Sequence, residues 1–372
     1  MDLALLLDRF PEPWVLAAGG VVVGLVFGVF AQQSRFCLRA AAIEFSHGTL
    51  GQRLAVWLLT FSAAVLATQL MIAYGAVDLT EARQLASPQS LSGAAGGGLM
   101  FGTGMVLARG CASRLLVLSA TGNLRALLSG LVFAVVAQAS LRGFLRPLRE
   151  WFAGLFTTAD IGGNDLLVFL GASTPVAIAF TCLWLAAGLS VAARSRTRPW
   201  RAIAAVGTGL AVPLAWWFTY TMSREAFDPV QVEGVTFTGP SADTLMLFLS
   251  PPGSMIDFDV GLVPGVFLGS FLAALVTREL RIEGFHDGPS MRRYLIGAAL
   301  MGFGGMLAGG CAVGAGVTGA SVFALTAWVT LSGIWLSAAI ADRLLTGREK
   351  VVLETELGAR GPMAKAGGDP LS

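Results

Sequence analysis

Nine separate stretches of this chain are each long and apolar enough to cross a bilayer. They lie at 14–31, 53–74, 93–109, 124–141, 173–193, 202–222, 260–277, 294–309 and 322–345. A spanning helix needs about 20 mostly apolar residues. Lipid offers the backbone no hydrogen-bond partner, so only a helix or a closed barrel can cross it. The expected fold is therefore an all-α polytopic membrane protein of about nine transmembrane helices. Composition agrees: 55% of the 372 residues are hydrophobic and 13% are charged, against about 25% charged in soluble domains. That balance excludes a disordered chain and a soluble enzyme. A net charge of +2 excludes a nucleic-acid binder of the basic-patch kind. Membrane lipids are the partner that composition implies. The start, MDLALLLDRFPEPW, has no basic region, so no cleavable leader is expected.

Three apolar pieces are too short to span. Residues 34–46, 110–121 and 311–320 each abut a span, and each carries a cysteine near its start: Cys37, Cys111 and Cys311. One reading makes them re-entrant or broken segments, short Cys-bearing helices that meet near the midplane as in transporters. The other makes them ordinary ends of long tilted helices. There is no CxxC and no metal-ligand spacing, so no metal or other cofactor is expected.

The chain also repeats itself. At an offset of 200, Gly102, Gly104, Leu107, Ala108, Gly110, Cys111, Ala112 and Val117 recur at 302–317. Gly28 and Cys37 repeat the Gly-x8-Cys frame, and Gly20, Gly24 and Gly28 are echoed by Gly261, Gly265 and Gly269. Small residues four apart let helix backbones approach closely in lipid. The expected organisation is two pseudo-repeated halves. Residues 1–150 carry two Cys segments, 151–255 form linker spans and an acidic outside loop, 256–347 carry the third Cys segment, and 348–372 form a loose tail. The Cys111 and Cys311 helices would run in opposite directions as in an inverted repeat, whereas the two glycine ladders would run the same way. The symmetry operator stays open.

Arginine placement gives the orientation. Arg194, Arg196, Arg198 and Arg201 crowd one loop, Arg278, Arg281, Arg292 and Arg293 another, and Arg343, Arg348 and Lys350 follow the last span. By contrast, 223–259 holds one arginine and six acids. The N-terminus is expected outside and the C-terminus in the cytoplasm. Arg142, Arg146 and Arg149 run against that count. Around them Phe144, Leu148, Trp151, Phe152 and Leu155 recur at helical spacing, which suits an amphipathic interfacial helix.

A short helix beginning at a Gly-Cys step presents N–H groups without intrahelical partners and the positive end of its dipole. That is an anion site. A thiol beside it suits a soft, sulfur-bearing partner. Gly110 and Gly310, each just before a cysteine, would remove bulk where the chain turns and bare those N–H groups. Arg35 and Arg114 flank the Cys segments and are expected to support the site, whereas Arg39 and Arg109 could equally snorkel to the interface. Asn123 and Arg125 could hold the Cys111 segment or simply start the next helix. Cys182 reads as packing filler. His47 and His286 have no partner signature, Glu44 is the nearest thing to an intramembrane acid, and the acidic loop reads as solvated surface.

The stretches SRFCLRAA, GLMFGTGMVLARGCASRLLVLSATGNLRAL, LRIEGFHD and ALMGFGGMLAGGCAVGAGVTGASVFALTAW resemble the YeeE/YedE family of bacterial sulfur-transport membrane proteins. The resemblance implies an inner-membrane importer of thiosulfate or a related reduced-sulfur anion, not an enzyme. Cys37, Cys111 and Cys311 would line its path through transient S–H···S contacts. It also implies a TusA-like sulfur carrier on the cytoplasmic side. The competing reading is a membrane-embedded thiol oxidoreductase or sulfur-transfer protein.

Overall fold

The computed structural model describes residues 7, 9–249, 251, 256–284 and 288–359. His286 and residues 360–372 of the polar tail lie outside them. Nine helical stretches among the described residues are long and apolar enough to cross a membrane. They coincide with the nine stretches of the sequence. The principal helices are α1 (Glu12–Ser34), α2 (Leu38–Ser46), α3 (Gln52–Ala73), α4 (Leu91–Leu107), α5 (Ala112–Ala120), α6 (Leu124–Leu141), α7 (Arg146–Ala153), α8 (Thr174–Arg194), α9 (Pro199–Glu225), α10 (Thr238–Leu249), α11 (Phe258–Val276), α12 (Gly288–Leu307) and α13 (Leu325–Ala359). Among the described residues there are only isolated β-bridges and no named strand. The chain is an all-α, multi-pass membrane protein.

Glycine decides which helices touch. The ladder of α1 packs on the ladder of α11: Gly20, Gly24 and Gly28 lie against the Phe258, Leu262 and Val266 backbone, and Gly261, Gly265 and Gly269 lie against the Ala17, Val21 and Leu25 carbonyls. The register rises together, so the two helices run parallel. Between α4 and α12 the register is crossed. Gly97 meets Gly304, and Gly104 meets Gly297, so these two run antiparallel. α3 and α9 are parallel, with Gly209 on Thr60 and the Thr60 hydroxyl donating to the Ala205 carbonyl at 2.9 Å. α1 and α9 are antiparallel, with Gly207 on Phe30 and Gly19 on Phe218. Both directional expectations of the sequence thus hold in one fold.

Three helices break where the sequence places cysteine. α1, α4 and α12 each end on a left-handed residue: Arg35 (φ 56°), Arg109 (φ 56°) and Gly309 (φ 77°). Two residues later, Cys37, Cys111 and Cys311 stand in extended conformation as N-caps of α2, of α5 and of the π-helical segment Ala312–Thr318. These are broken segments, not the ends of long helices. The reversal does not use the glycine next to the thiol. The Gly110 N–H donates to the Met105 carbonyl at 3.1 Å, and the Gly310 N–H to Gly305 at 2.8 Å, so neither is bared. Gly310 instead makes room, because a Cβ there would stand 2.7 Å from the Ala315 nitrogen. Left-handed backbone costs a non-glycine residue about 1 kcal/mol, a strain accepted at Arg35 and Arg109.

Two backbone latches hold the broken segments. On one face, the Arg281 N–H donates to Thr121 at 3.1 Å, the Glu283 N–H to Gly122 at 3.0 Å and the Leu124 N–H to Glu283 at 3.1 Å. On the other, the Leu166 N–H donates to Phe323 at 2.9 Å and the Leu325 N–H to Asn164 at 2.7 Å. α7 is the amphipathic helix expected around Arg146, with Trp151 and Phe152 exposed.

Gly24→Ala should lower thermal stability by about 1–3 kcal/mol, the usual cost of overpacking, because its Cβ would meet α11 backbone. Gly130→Ala, facing open space, should be neutral or slightly stabilising. Melting of the detergent-solubilised protein, followed by size-exclusion fluorescence, separates the two.

Candidate translocation site

Cys37, Cys111 and Cys311 are all inside the protein. Cys37 is 8% exposed, and Cys111 and Cys311 are 1% exposed, so none faces lipid. All four cysteines are free thiols, and Cys182 is exposed. The breaks at Arg35 and Arg109 bring two of the Cys segments together: the Cys37 and Cys111 thiols are close enough to act on one another. Arg114 is near enough to act on both thiols, and Arg39 on Cys37. Arg114 Nη1 and Arg39 Nε are buried and have no protein partner. A buried donor without an acceptor is costly, and an anion beside the two thiols would supply one.

The N-termini of the short helices differ in a useful way. At Cys311 the sulfur accepts the Gly314 N–H at 3.4 Å, capping its own helix. At Cys37 and Cys111 the equivalent Ala40 and Arg114 N–H groups face the thiol, yet no side-chain capping bond closes there. The first turns of α2 and α5 therefore keep donors for a ligand.

Cys311 is separate from the pair. It lies beside the Phe237 backbone, at the start of α10, and beside Thr238, whose buried hydroxyl has no hydrogen bond of standard geometry. Three rings connect the two places. Phe36, next to Cys37, meets Phe27 with centroids 6.5 Å apart, and Phe27 meets Phe237 at 5.1 Å. All three rings are buried. This apolar neck separates Cys311 from Cys37 and Cys111.

Charged vestibules lie on both sides of the neck. The arginine vestibule, about 370 Å³, is lined by Gln32, Arg35, Arg114, Arg278, Glu279 and Arg281 among others. Arg35 pairs with Glu279 at 3.1 Å, and Gln32 donates to the same carboxylate at 3.0 Å. The mixed-charge vestibule, about 490 Å³, reaches Gly309 and Gly310 at the Cys311 break, and its charged lining is Arg83, Arg142, Arg149, Glu233, Asp243, Asp257 and Asp259. Arg142 faces Asp243 at 3.8 Å. Two of the three arginines that disturbed the orientation count thus line a cavity.

Other singled-out residues are supports. Asn123 accepts the Ala126 N–H at 2.8 Å, starting α6, and donates to the Glu283 carboxylate. It does both jobs that the sequence offered. Arg125 lies over the Tyr294 ring at 4.6 Å, with Arg109 at 5.9 Å, so these two hold α4, α6 and α12 together through a shared ring. Some expectations need correction. His47 is not alone, since its Nε2 lies 2.9 Å from Asp342. Glu44 accepts the Arg53 and Leu54 N–H groups at 3.0 and 2.9 Å, a cap for α3. The acidic loop is not all solvated surface: Asp259 Oδ1 is buried, and burial pushes the Glu233 carboxyl up to about 7.

The sequence pattern of the Sulphur transport family runs through residues 33–340. The chain belongs to the sulphur transport family. Two relatives carry the name thiosulfate transporter TsuA. The one from Escherichia coli (strain K12) is 24% identical, over 86% of this chain and 93% of its own. The one from Spirochaeta thermophila is 27% identical, over 87% of this chain and 98% of its own. This family member is a transporter, not an enzyme, and the thiol-oxidoreductase reading is not favoured.

Mild oxidation with diamide should join Cys37 to Cys111, leaving Cys311 a free thiol. Peptide mass spectrometry reads the linkage, and a crosslink through Cys311 would contradict the geometry.

Proposed function

We propose that this chain imports thiosulfate across the bacterial inner membrane along a path through Cys311, the phenylalanine neck, and Cys37 with Cys111. The observation that carries the reading is the placement of three buried thiols at helix breaks, between two charged vestibules. The names of the relatives supply the substrate. Thiosulfate has hard oxygens at one end and a soft, polarizable sulfur at the other. The oxygens suit Arg114, Arg39 and the open N–H groups of α2 and α5, and the terminal sulfur suits a thiol donor. Weak successive stations let the anion both bind and leave.

In this reading the arginine vestibule faces the cytoplasm and the mixed-charge vestibule faces outside. That leaves the N-terminus outside and the C-terminus inside, as the arginine-rich loops favour. Arg35 and Arg114 collect the anion on the cytoplasmic side, Asn123, Arg125, Gly110 and Gly310 hold the broken segments, and a TusA-like sulfur carrier would take the product there. The helix directions support an in-plane two-fold relation exchanging α1 with α9, α3 with α11, α4 with α12 and α6 with α13. The first half then stays within 1–150, and the second extends back from 256–347 to Pro199. On that relation Thr238 stands beside Cys311 as Cys37 stands beside Cys111, so the path has three thiols and one hydroxyl.

Cys111→Ala and Cys311→Ala should each abolish uptake of radiolabelled thiosulfate into proteoliposomes while leaving the protein folded and monodisperse. Cys→Ser should give partial activity at best, because the hydroxyl is shorter and harder. Unchanged uptake in the alanine variants would remove the path through the thiols.

A further inference from the structure

The mixed-charge vestibule is an odd doorway for an anion. Four carboxyls, from Glu233, Asp243, Asp257 and Asp259, face three guanidiniums, from Arg83, Arg142 and Arg149. They come from separate elements: Glu233 from the segment after α9, Asp243 from α10, and Asp257 and Asp259 from the start of α11. The cavity they line runs to the backbone of Gly309 and Gly310, beside Cys311. A divalent anion arriving there meets more negative charge than positive unless some carboxyls are neutral.

Two observations show where neutrality is built in. Asp259 Oδ1 is buried in this wall without a hydrogen-bond donor, and Asp259 Oδ2 and Asp243 Oδ2 face the same glycine, Gly239. A buried carboxylate oxygen without a donor is costly when charged. Glu233 is fixed in place by Thr219, whose hydroxyl donates to the Glu233 carbonyl at 2.8 Å and accepts its N–H at 3.2 Å. The charged groups near enough to act on it are Arg83, Asp243, Asp257 and Asp259. A proton needs only one such oxygen, and Asp259 Oδ1 offers it.

We propose that the mixed-charge vestibule is a proton-binding site linked to the anion, and that Glu233 and its neighbour Asp259 take up a proton as the anion settles beside Cys311. The inference rests on thiosulfate import along the path described above. Each added negative charge favours the neutral acid, and linkage is reciprocal: if the anion tightens proton binding, protons tighten anion binding by the same factor. Import of the anion then carries protons with it, and an acid exterior drives uptake. Burial already holds the Glu233 carboxyl at about 7, so a modest push from the anion changes its charge near neutral pH.

The test uses the full chain in proteoliposomes, with radiolabelled thiosulfate outside and a pH-sensitive dye inside. Thiosulfate remains a dianion near neutrality, so any pH effect belongs to the protein. Uptake should rise several-fold as the outside pH is lowered from about 8 to about 6, and the interior should acidify in step with it. Glu233→Gln should flatten the pH profile and cut the protons moved per anion, and Asp259→Asn should do the same if the first variant expresses poorly. A further sign separates titration from damage. Between the ordinary carboxylate range and about 7, the folded wild type holds a proton that the unfolded chain releases. Wild-type stability therefore falls as pH rises through that window, and Glu233→Gln should reduce that slope. Uptake with no proton movement, and with the same pH profile in the variants, overturns the coupling and leaves thiosulfate import standing. No thiosulfate uptake at any pH overturns both.

Discussion

A backbone inside a membrane must pair its own N–H and C=O groups, and this protein depends on three places where it stops doing so in a continuous helix. At Arg35, Arg109 and Gly309 the chain turns left-handed, and the next helix begins afresh from a cysteine. At α2 and α5 the restart leaves first-turn N–H groups and a helix dipole facing the protein interior, whereas Cys311 caps its own segment. Such a break is tolerable only where protein or a water-filled cavity surrounds it. Here protein encloses all three thiols, and a charged vestibule reaches each side of the neck between them. The unpaired groups that make the breaks costly also make them useful to an anion.

Close packing around the breaks comes from glycine. α1 can lie on α11, and α4 on α12, at backbone contact because the facing rungs have no side chain. That leaves the longer side chains to fill the neck and the vestibules. The left-handed arginines fit the same logic. Their strain places guanidinium groups at the ends of α1 and α4, where Arg35 reaches Glu279 and Arg109 reaches Tyr294. The latch on each face then fixes the returning chain through main-chain hydrogen bonds. It depends little on side-chain identity, apart from Asn123, Glu283 and Asn164.

Much of this was legible in the residues because it is local. The nine spans follow from runs of apolar residues, the breaks from segments too short to cross, and the α5 restart from the Gly-Cys step. What was not legible is long-range. Two glycine ladders separated by some 240 residues read as an echo, and only the fold shows that they pack on each other. Asn123 announces itself as a cap by standing before α6. Asn164, whose carbonyl oxygens accept from Leu325 and Thr326 at the start of α13, is too far away in the chain to be seen. The six acids between 223 and 259 looked alike in composition. Glu233 differs from Asp228 because the chain carries it inward against Thr219 and Arg83. Gly110 and Gly310 do not bare their N–H groups as expected, because the chain turns left-handed one residue earlier, at Arg109 and Gly309, and each glycine N–H closes back onto the preceding helix.

The central claim is that a polarizable anion passes from thiol to thiol along one line through the neck. The most direct measurement is a structure of the protein with selenosulfate, a heavy analogue of thiosulfate, located by the anomalous signal of selenium. The account predicts selenium within sulfur hydrogen-bond reach, about 4 Å, of Cys311 or of the Cys37–Cys111 pair, with its oxygens toward the arginines or the helix N-termini. Selenium bound only elsewhere, with all three thiols walled off from it, would contradict the account.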